Sequence, residues 1–123
     1  MTEEIDPIGP EVLGPLLATS WLGRRHVHVE TCESTNDRAA SEARAGAAEG
    51  LIVTTDVQTA GRGRLGRVWH SPPGENLAVS ILLRPARPPA EIPPLTLLAS
   101  AAVASALRSP CASSASDQKE DLR

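Results

Sequence analysis

Gln58-Thr59-Ala60-Gly61-Arg62-Gly63-Arg64-Leu65-Gly66-Arg67-Val68-Trp69 is the stretch on which the reading of this chain turns. Taken mechanically, Gly61-Arg62-Gly63-Arg64-Leu65-Gly66 matches the glycine pattern of a Rossmann dinucleotide site. That pattern works only where a helix opens within the glycines and an acid follows about 20 residues on. Here Val68-Trp69-His70-Ser71-Pro72-Pro73 cannot open a helix, and Leu83 to Pro88 contains no acid. The context therefore excludes a Rossmann site. What remains is an arginine loop: the glycines let the backbone approach a ligand closely, and Arg62, Arg64 and Arg67 supply planar donors for carboxylate or phosphate oxygens. Three like charges repel, so such a loop is expected to be mobile when empty and ordered around an anion.

Outward from the loop, Leu51-Ile52-Val53-Thr54-Thr55-Asp56-Val57 is β-rich, and Leu77 to Arg84 reads as a second strand with a continuous apolar end. The connection from Gln58 to Asn76 is long for a compact domain, which usually marks a functional or disordered segment. Upstream, Arg25 to Glu30 alternates as a half-buried strand, with His26 and His28 on its exposed face and too few ligands for a metal. Ser34-Thr35-Asn36-Asp37 opens an Ala-rich helix that Gly46 and Gly50 end, and Ser34 with Asp37 resembles a helix cap. Val12, Leu13, Leu16 and Leu17 have the spacing of one short helix, and Leu95, Leu98, Ala102 and Ala106 that of a longer helix ending at Arg108. Pro85, Pro88, Pro89, Pro93 and Pro94 stiffen the connection before it.

Composition bounds the rest. With 123 residues, two Trp, no Phe and no Tyr, the chain suits one small aliphatic domain and not a base-stacking RNA module. No apolar run is expected to span a membrane, and the acidic start lacks the basic flank of a signal peptide, so a cytoplasmic location is expected. Cys32 and Cys111 read as two reduced thiols. The net charge is -3, yet Val57 to Arg87 holds Arg62, Arg64, Arg67, Arg84 and Arg87 against Glu75 alone. A local anion site fits that asymmetry better than a general nucleic-acid binder. Arg84 and Arg87 read as a solvated strand end, and residues 109–123 as a disordered polar tail.

The sequence resembles the biotin protein ligases, enzymes that adenylate biotin and transfer it to a lysine of a carboxylase carrier domain. Three segments carry the resemblance in order: Glu33-Ser34-Thr35-Asn36; Gln58 through Trp69; and Ser71-Pro72 with Gly74, Asn76 and Leu77. The resemblance implies an α+β fold, the biotin/lipoate ligase catalytic domain with its class II aminoacyl-tRNA-synthetase-like mixed sheet and flanking helices. It implies a short helical extension over 1–24, the amino-terminal half of the domain over 25–108, and the tail beyond.

It further implies that Ser34, Thr35 and Asn36 line a biotin pocket and that Gln58 hydrogen-bonds the biotin head group. Gly61, Arg62, Gly63 and Arg64 would close over biotin and the adenylate, with Arg62 and Arg64 catalytic and Arg67 and Trp69 in the adenylate loop. Biotin and ATP enter as substrates, Mg2+ accompanies ATP, the partner is a biotin carboxyl carrier domain, and a homodimer is compatible. No nucleic acid is expected as a partner, because too little chain precedes Ser34 for a winged helix, and no membrane is expected either.

Plainer roles exist for each residue: Ser34 as a cap, Asn36 as a turn former, Trp69 as core packing, His70 as an ordinary loop residue. The family's Lys-Trp-Pro-Asn-Asp motif is missing, and Lys119, the one lysine, lies among acids in a context unlike it. The chain alone is therefore expected to be a truncated portion with little or no turnover, or a non-catalytic half-domain that binds biotin or its adenylate.

Overall fold

The computed structural model describes residues 8–70, 72 and 74–109. The expected tail beyond Ser109, with Cys111 and Lys119, and Ser71 and Pro73 lie outside the described residues. The chain divides into two compact units, Met1–Arg84 and Pro85–Arg123.

In the first unit a short helix, α1 (Pro10–Leu13), runs into a 3-10 turn over Gly14–Leu16. The strand β1 (His26–Cys32) is followed by the helix α2 (Thr35–Arg44) and the strand β2 (Ile52–Gln58). β1 and β2 pair in parallel, with His26 beside Ile52 and Cys32 beside Gln58. A parallel pair needs a crossover connection, and α2 supplies it. The strand β5 (Ala78–Ile81) then pairs antiparallel on the other side of β2, placing Ser80 beside Val53 and Ala78 beside Thr55. The sheet order is β1-β2-β5.

Successive side chains in a strand point to opposite faces. One face of the sheet sends Val27, Val53 and Leu82 toward α2, whose Ala39 joins Ala47 and Leu51 in a small core. Because the helix residue in that core is an alanine, α2 can approach the sheet closely. Gly50, at φ +95°, lets the chain turn back into β2; a Cβ there would stand 2.8 Å from the Trp21 carbonyl oxygen. Arg84, expected as a solvated strand end, instead caps α2: its guanidinium donates to the carbonyls of Ala43 at 2.9 Å and Ala47 at 2.8 Å. Ala43 is in the last turn of the helix and Ala47 just beyond its end, a position where a cation is favoured by the helix dipole.

The opposite face corrects the expectation for His26 and His28. Both are half-buried: His26 Nε2 lies 2.6 Å and His28 Nδ1 2.8 Å from Thr54 Oγ1. The Thr54 hydroxyl also lies 3.1 Å from the Ile8 carbonyl oxygen, so one hydroxyl joins both imidazoles to the amino-terminal segment. His28 Nε2 faces Asp56 Oδ2 at 3.2 Å. Among the described residues His26 Nδ1 is buried without a partner, and burial, with His28 beside it, pushes the His26 pKa below its ordinary 6.5. Alternation alone could not show that the amino-terminal segment covers this face.

The long loop carries a regular element at its start. Gly61–Arg62 (β3) and Val68–Trp69 (β4) form an antiparallel hairpin around a 3-10 turn at Arg64–Gly66. Its apex is strained, with Leu65 at φ 60° and almost fully exposed. Cys32 is a free thiol.

The second unit holds a 3-10 turn at Pro89–Glu91 and the helix α3 (Pro93–Arg108), where Leu95, Leu98, Ala102 and Ala106 share the expected helical spacing. An Arg87–Glu91 ion pair at 3.4 Å spans the turn. The helical stretch Pro89–Arg108, 20 residues at a mean hydropathy of 1.4, is long and apolar enough to cross a membrane. That corrects the expectation that no run reaches this length, although a core helix of a soluble domain meets the same condition.

Candidate ligand pocket at the strand ends

Two parallel strands ending side by side leave a crevice at their carboxyl ends, the usual place for a ligand in such sheets. Here β1 turns into α2 through Ser34 while β2 turns into the hairpin through Gln58. The ladder runs one step past both strands: Thr59 N–H donates to the Cys32 carbonyl at 2.9 Å and Ala60 N–H to the Glu33 carbonyl at 2.7 Å. These bonds anchor the base of the hairpin against the start of α2.

The resulting pocket, about 320 Å3, is lined by Ser34, Thr35, Asn36, Gln58, Arg62 and Trp69, joined by His70 and the start of β5. The structure thus brings together six of the residues singled out in the sequence. Gly63, Arg64 and Arg67 stand apart from it, lining an open hollow of about 1050 Å3 within the hairpin, which Arg62 and Trp69 share. Gly61 is buried beneath: a Cβ there would stand 2.5 Å from Gln58 Nε2 and 3.2 Å from the Trp69 carbonyl oxygen. Glycine at this point is a matter of close approach between the hairpin and the Gln58 side chain.

The floor of the pocket is a network of buried polar groups. Thr35 N–H, an orphan donor of the helix start, donates to Gln58 Oε1 at 2.9 Å. The Thr35 hydroxyl lies 3.3 Å from the same oxygen and 2.8 Å from Ser80 Oγ. Ser80 Oγ donates to Asn36 Oδ1 at 2.5 Å. Ser34, 5% exposed, sits at the N-cap position, but its hydroxyl makes no capping hydrogen bond and finds no partner among the described residues. The expected cap between Ser34 and Asp37 is not formed; the Asp37 carboxylate is instead paired with the Arg62 guanidinium. Both sides of that pair are about half exposed or more, so it contributes little stability.

Ser80 is the residue that sequence reasoning passed over, since Leu77 to Arg84 was read as apolar strand. The available signal was one hydroxyl in a run of aliphatics, on the face that meets α2. His70, read as an ordinary loop residue, lines the pocket. Among the described residues no group of three or more His, Cys, Asp or Glu could hold a metal ion.

Residues 29–122 match the family described as Biotin/lipoate A/B protein ligase family. Two curated relatives, each named Bifunctional ligase/repressor BirA, come from Bacillus spizizenii and Bacillus subtilis. Each is 44% identical over 87 residues, covering 71% of this chain and 27% of the relative. The chain therefore spans about a quarter of the length of the curated relatives it matches.

Proposed function

The chain belongs to the biotin/lipoate A/B protein ligase family, and from that premise we propose that its pocket seats biotin for ATP-dependent activation. A hydroxyl that the protein leaves without a partner at a pocket wall is completed by water or by a ligand. Ser34 Oγ makes no hydrogen bond among the described residues and lines a pocket of ligand size, where it is open to a ligand, and it is the single observation that carries the reading. Asn36 and Gln58 flank it with their amide nitrogens uncommitted among the described residues. Thr35 already spends its polar groups on Gln58 and Ser80, so its part is to hold the floor in shape.

In the proposed reaction a biotin carboxylate oxygen attacks the α-phosphorus of ATP, pyrophosphate leaves, and a mixed anhydride forms. The ε-amine of a carrier-domain lysine then attacks the acyl carbon; AMP leaves, an amide forms, and the amine proton passes to solvent. The first step brings two anions together. Arg62, at the pocket, and Arg64, on the hairpin, are the charges suited to stabilise the negative charge that builds in that transition state. Arg67 and Trp69 would extend the cover over the adenylate, and exclusion of water there protects a hydrolysable intermediate. Mg2+ arrives with the phosphates of ATP.

In this reading residues 25–108 are an amino-terminal portion of a class II aminoacyl-tRNA-synthetase-like catalytic domain acting in the cytoplasm. The partner is a carboxylase carrier domain, and neither nucleic acid nor membrane takes part. Titration calorimetry of the 123-residue chain with biotin tests the proposal. Saturable binding that Ser34→Ala weakens by about tenfold is expected, as for loss of one buried hydrogen bond. No binding by the folded chain would overturn it. With Lys119 as its one lysine, in Gln118-Lys119-Glu120-Asp121, the chain also suits a second reading, a binding portion without turnover. Labelling of a carrier domain in the presence of biotin, ATP and Mg2+ separates the two.

A further inference from the structure

Proton counting through the floor of the pocket leads to a role for Ser80. Its hydroxyl is buried, at 7% exposure, and lies within hydrogen-bond distance of both Asn36 Oδ1 and Thr35 Oγ1. A hydroxyl has one proton to donate. A carboxamide oxygen can only accept, so Ser80 gives its proton to Asn36 Oδ1 at 2.5 Å. The contact with Thr35 at 2.8 Å is then made by the Thr35 proton, donated to Ser80 Oγ. Thr35 has only a longer approach of 3.3 Å to Gln58, whose Oε1 is already met by the Thr35 N–H at 2.9 Å. Both carboxamide oxygens, those of Asn36 and Gln58, are thereby turned into the protein. Both NH2 groups are left over, on side chains that line the pocket together with the Arg62 guanidinium, which has donors only.

We infer that Ser80 is a positioning and specificity-determining residue. By holding Asn36 Oδ1 it makes this wall of the pocket a row of donors, which selects ligands that present oxygen acceptors there. The inference deepens the biotin reading and rests on it for the identity of the ligand; the orientation of Asn36 does not. Biotin carries a urea oxygen that accepts. In 2-iminobiotin that oxygen is replaced by nitrogen bearing hydrogen, which would face donors with a donor. Without the Ser80 hydroxyl, the Asn36 carboxamide is free to turn its oxygen outward, and the penalty on the imino analogue falls.

The test compares the wild-type chain with Ser80→Ala and Ser80→Thr, the second retaining the hydroxyl on a side chain suited to a strand. Calorimetry is expected to show that Ser80→Ala lowers the preference for biotin over 2-iminobiotin by about tenfold, a typical value for one mispaired polar contact, while Ser80→Thr restores it. A purely structural role would weaken both ligands in the same proportion, and an unchanged ratio in a folded Ser80→Ala chain overturns the inference. NMR of the side-chain amides supplies a readout without ligand. The Asn36 NH2 pair is expected to shift or broaden in Ser80→Ala and to recover in Ser80→Thr; signals unmoved by Ser80→Ala overturn the inference as well. A chain that binds no biotin yet shows this NMR change sinks the ligase reading and keeps the Ser80 orientation.

Discussion

The floor of the pocket and the hairpin above it are built on opposite principles. In the floor, Thr35 and Ser80, both buried, are joined with the half-buried Gln58 and with Asn36 in a connected set of hydrogen bonds beside the Leu51 and Val53 core. The hairpin carries Arg62, Arg64, Arg67 and Trp69 in the open, ties to the floor through an exposed ion pair with Asp37, and strains its own apex at Leu65. Polar groups in the floor contribute to stability because leaving any one of them unpaired is costly. Charges in the hairpin are solvated and contribute little until a ligand displaces water from them. Stability and ligand capture should therefore separate along this boundary.

The largest effect is expected from Leu51→Ala, which truncates a side chain only 1% exposed in a core of few members. Chemical denaturation should show a loss of about 2–5 kcal/mol, enough to unfold much of so small a domain. A loss below about 1 kcal/mol would mean that the core is not what holds the floor. Next comes Thr54→Val, isosteric and fully buried, which removes the hydroxyl shared by His26, His28 and the Ile8 carbonyl. About 1–3 kcal/mol should be lost in the same experiment, with the amino-terminal segment released to proteolysis.

The pH dependence is smaller and has a definite sign. His26 titrates below 6.5 in the folded chain, so the unfolded chain binds its proton first. Stability should be level above pH 6.5, fall as pH drops through 6.5, and level again once the folded-state pKa is passed. In His26→Gln that part of the slope should vanish from thermal melts recorded across the range. Least stability should be lost on the hairpin: Arg62→Ala should cost under about 1 kcal/mol. The same variant should bind a biotinyl-adenylate analogue about 10 to 100 times more weakly, as expected when a charge-assisted contact is removed. A hairpin variant that unfolds the protein, or one that leaves analogue binding intact, would erase the distinction between the two regions.

Local chemistry made much of this visible in the chain itself. The strands around Val29, Val53 and Val79, the helix opened by Ser34, and the helix ending at Arg108 follow from periodicity and turn residues, which act over a few positions. The loop from Gln58 to Trp69 and its kinship with Ser34-Thr35-Asn36 were legible because glycine and arginine at that spacing have few other uses. Less was legible wherever partners are distant in sequence. The Asp37 carboxylate could cap its own helix or meet Arg62, and local rules favour the cap. Arg84 looked solvated because nothing near it in sequence reveals that the Ala43 and Ala47 carbonyls lie within its reach.

What the amino-acid sequence determined alone is the kind of chemistry: an arginine-bearing cover next to a small polar trio, on an α+β chain of one recognisable family. What tertiary structure decided is which of those groups are free to act. Strand pairing sets Ser80 against Thr35 and Asn36 across more than 40 residues of chain, commits the Gln58 oxygen to Thr35, and leaves the Ser34 hydroxyl unpaired at the pocket. A hydrogen-bonding group has a fixed number of donors and acceptors, and only the fold determines which of them are already used.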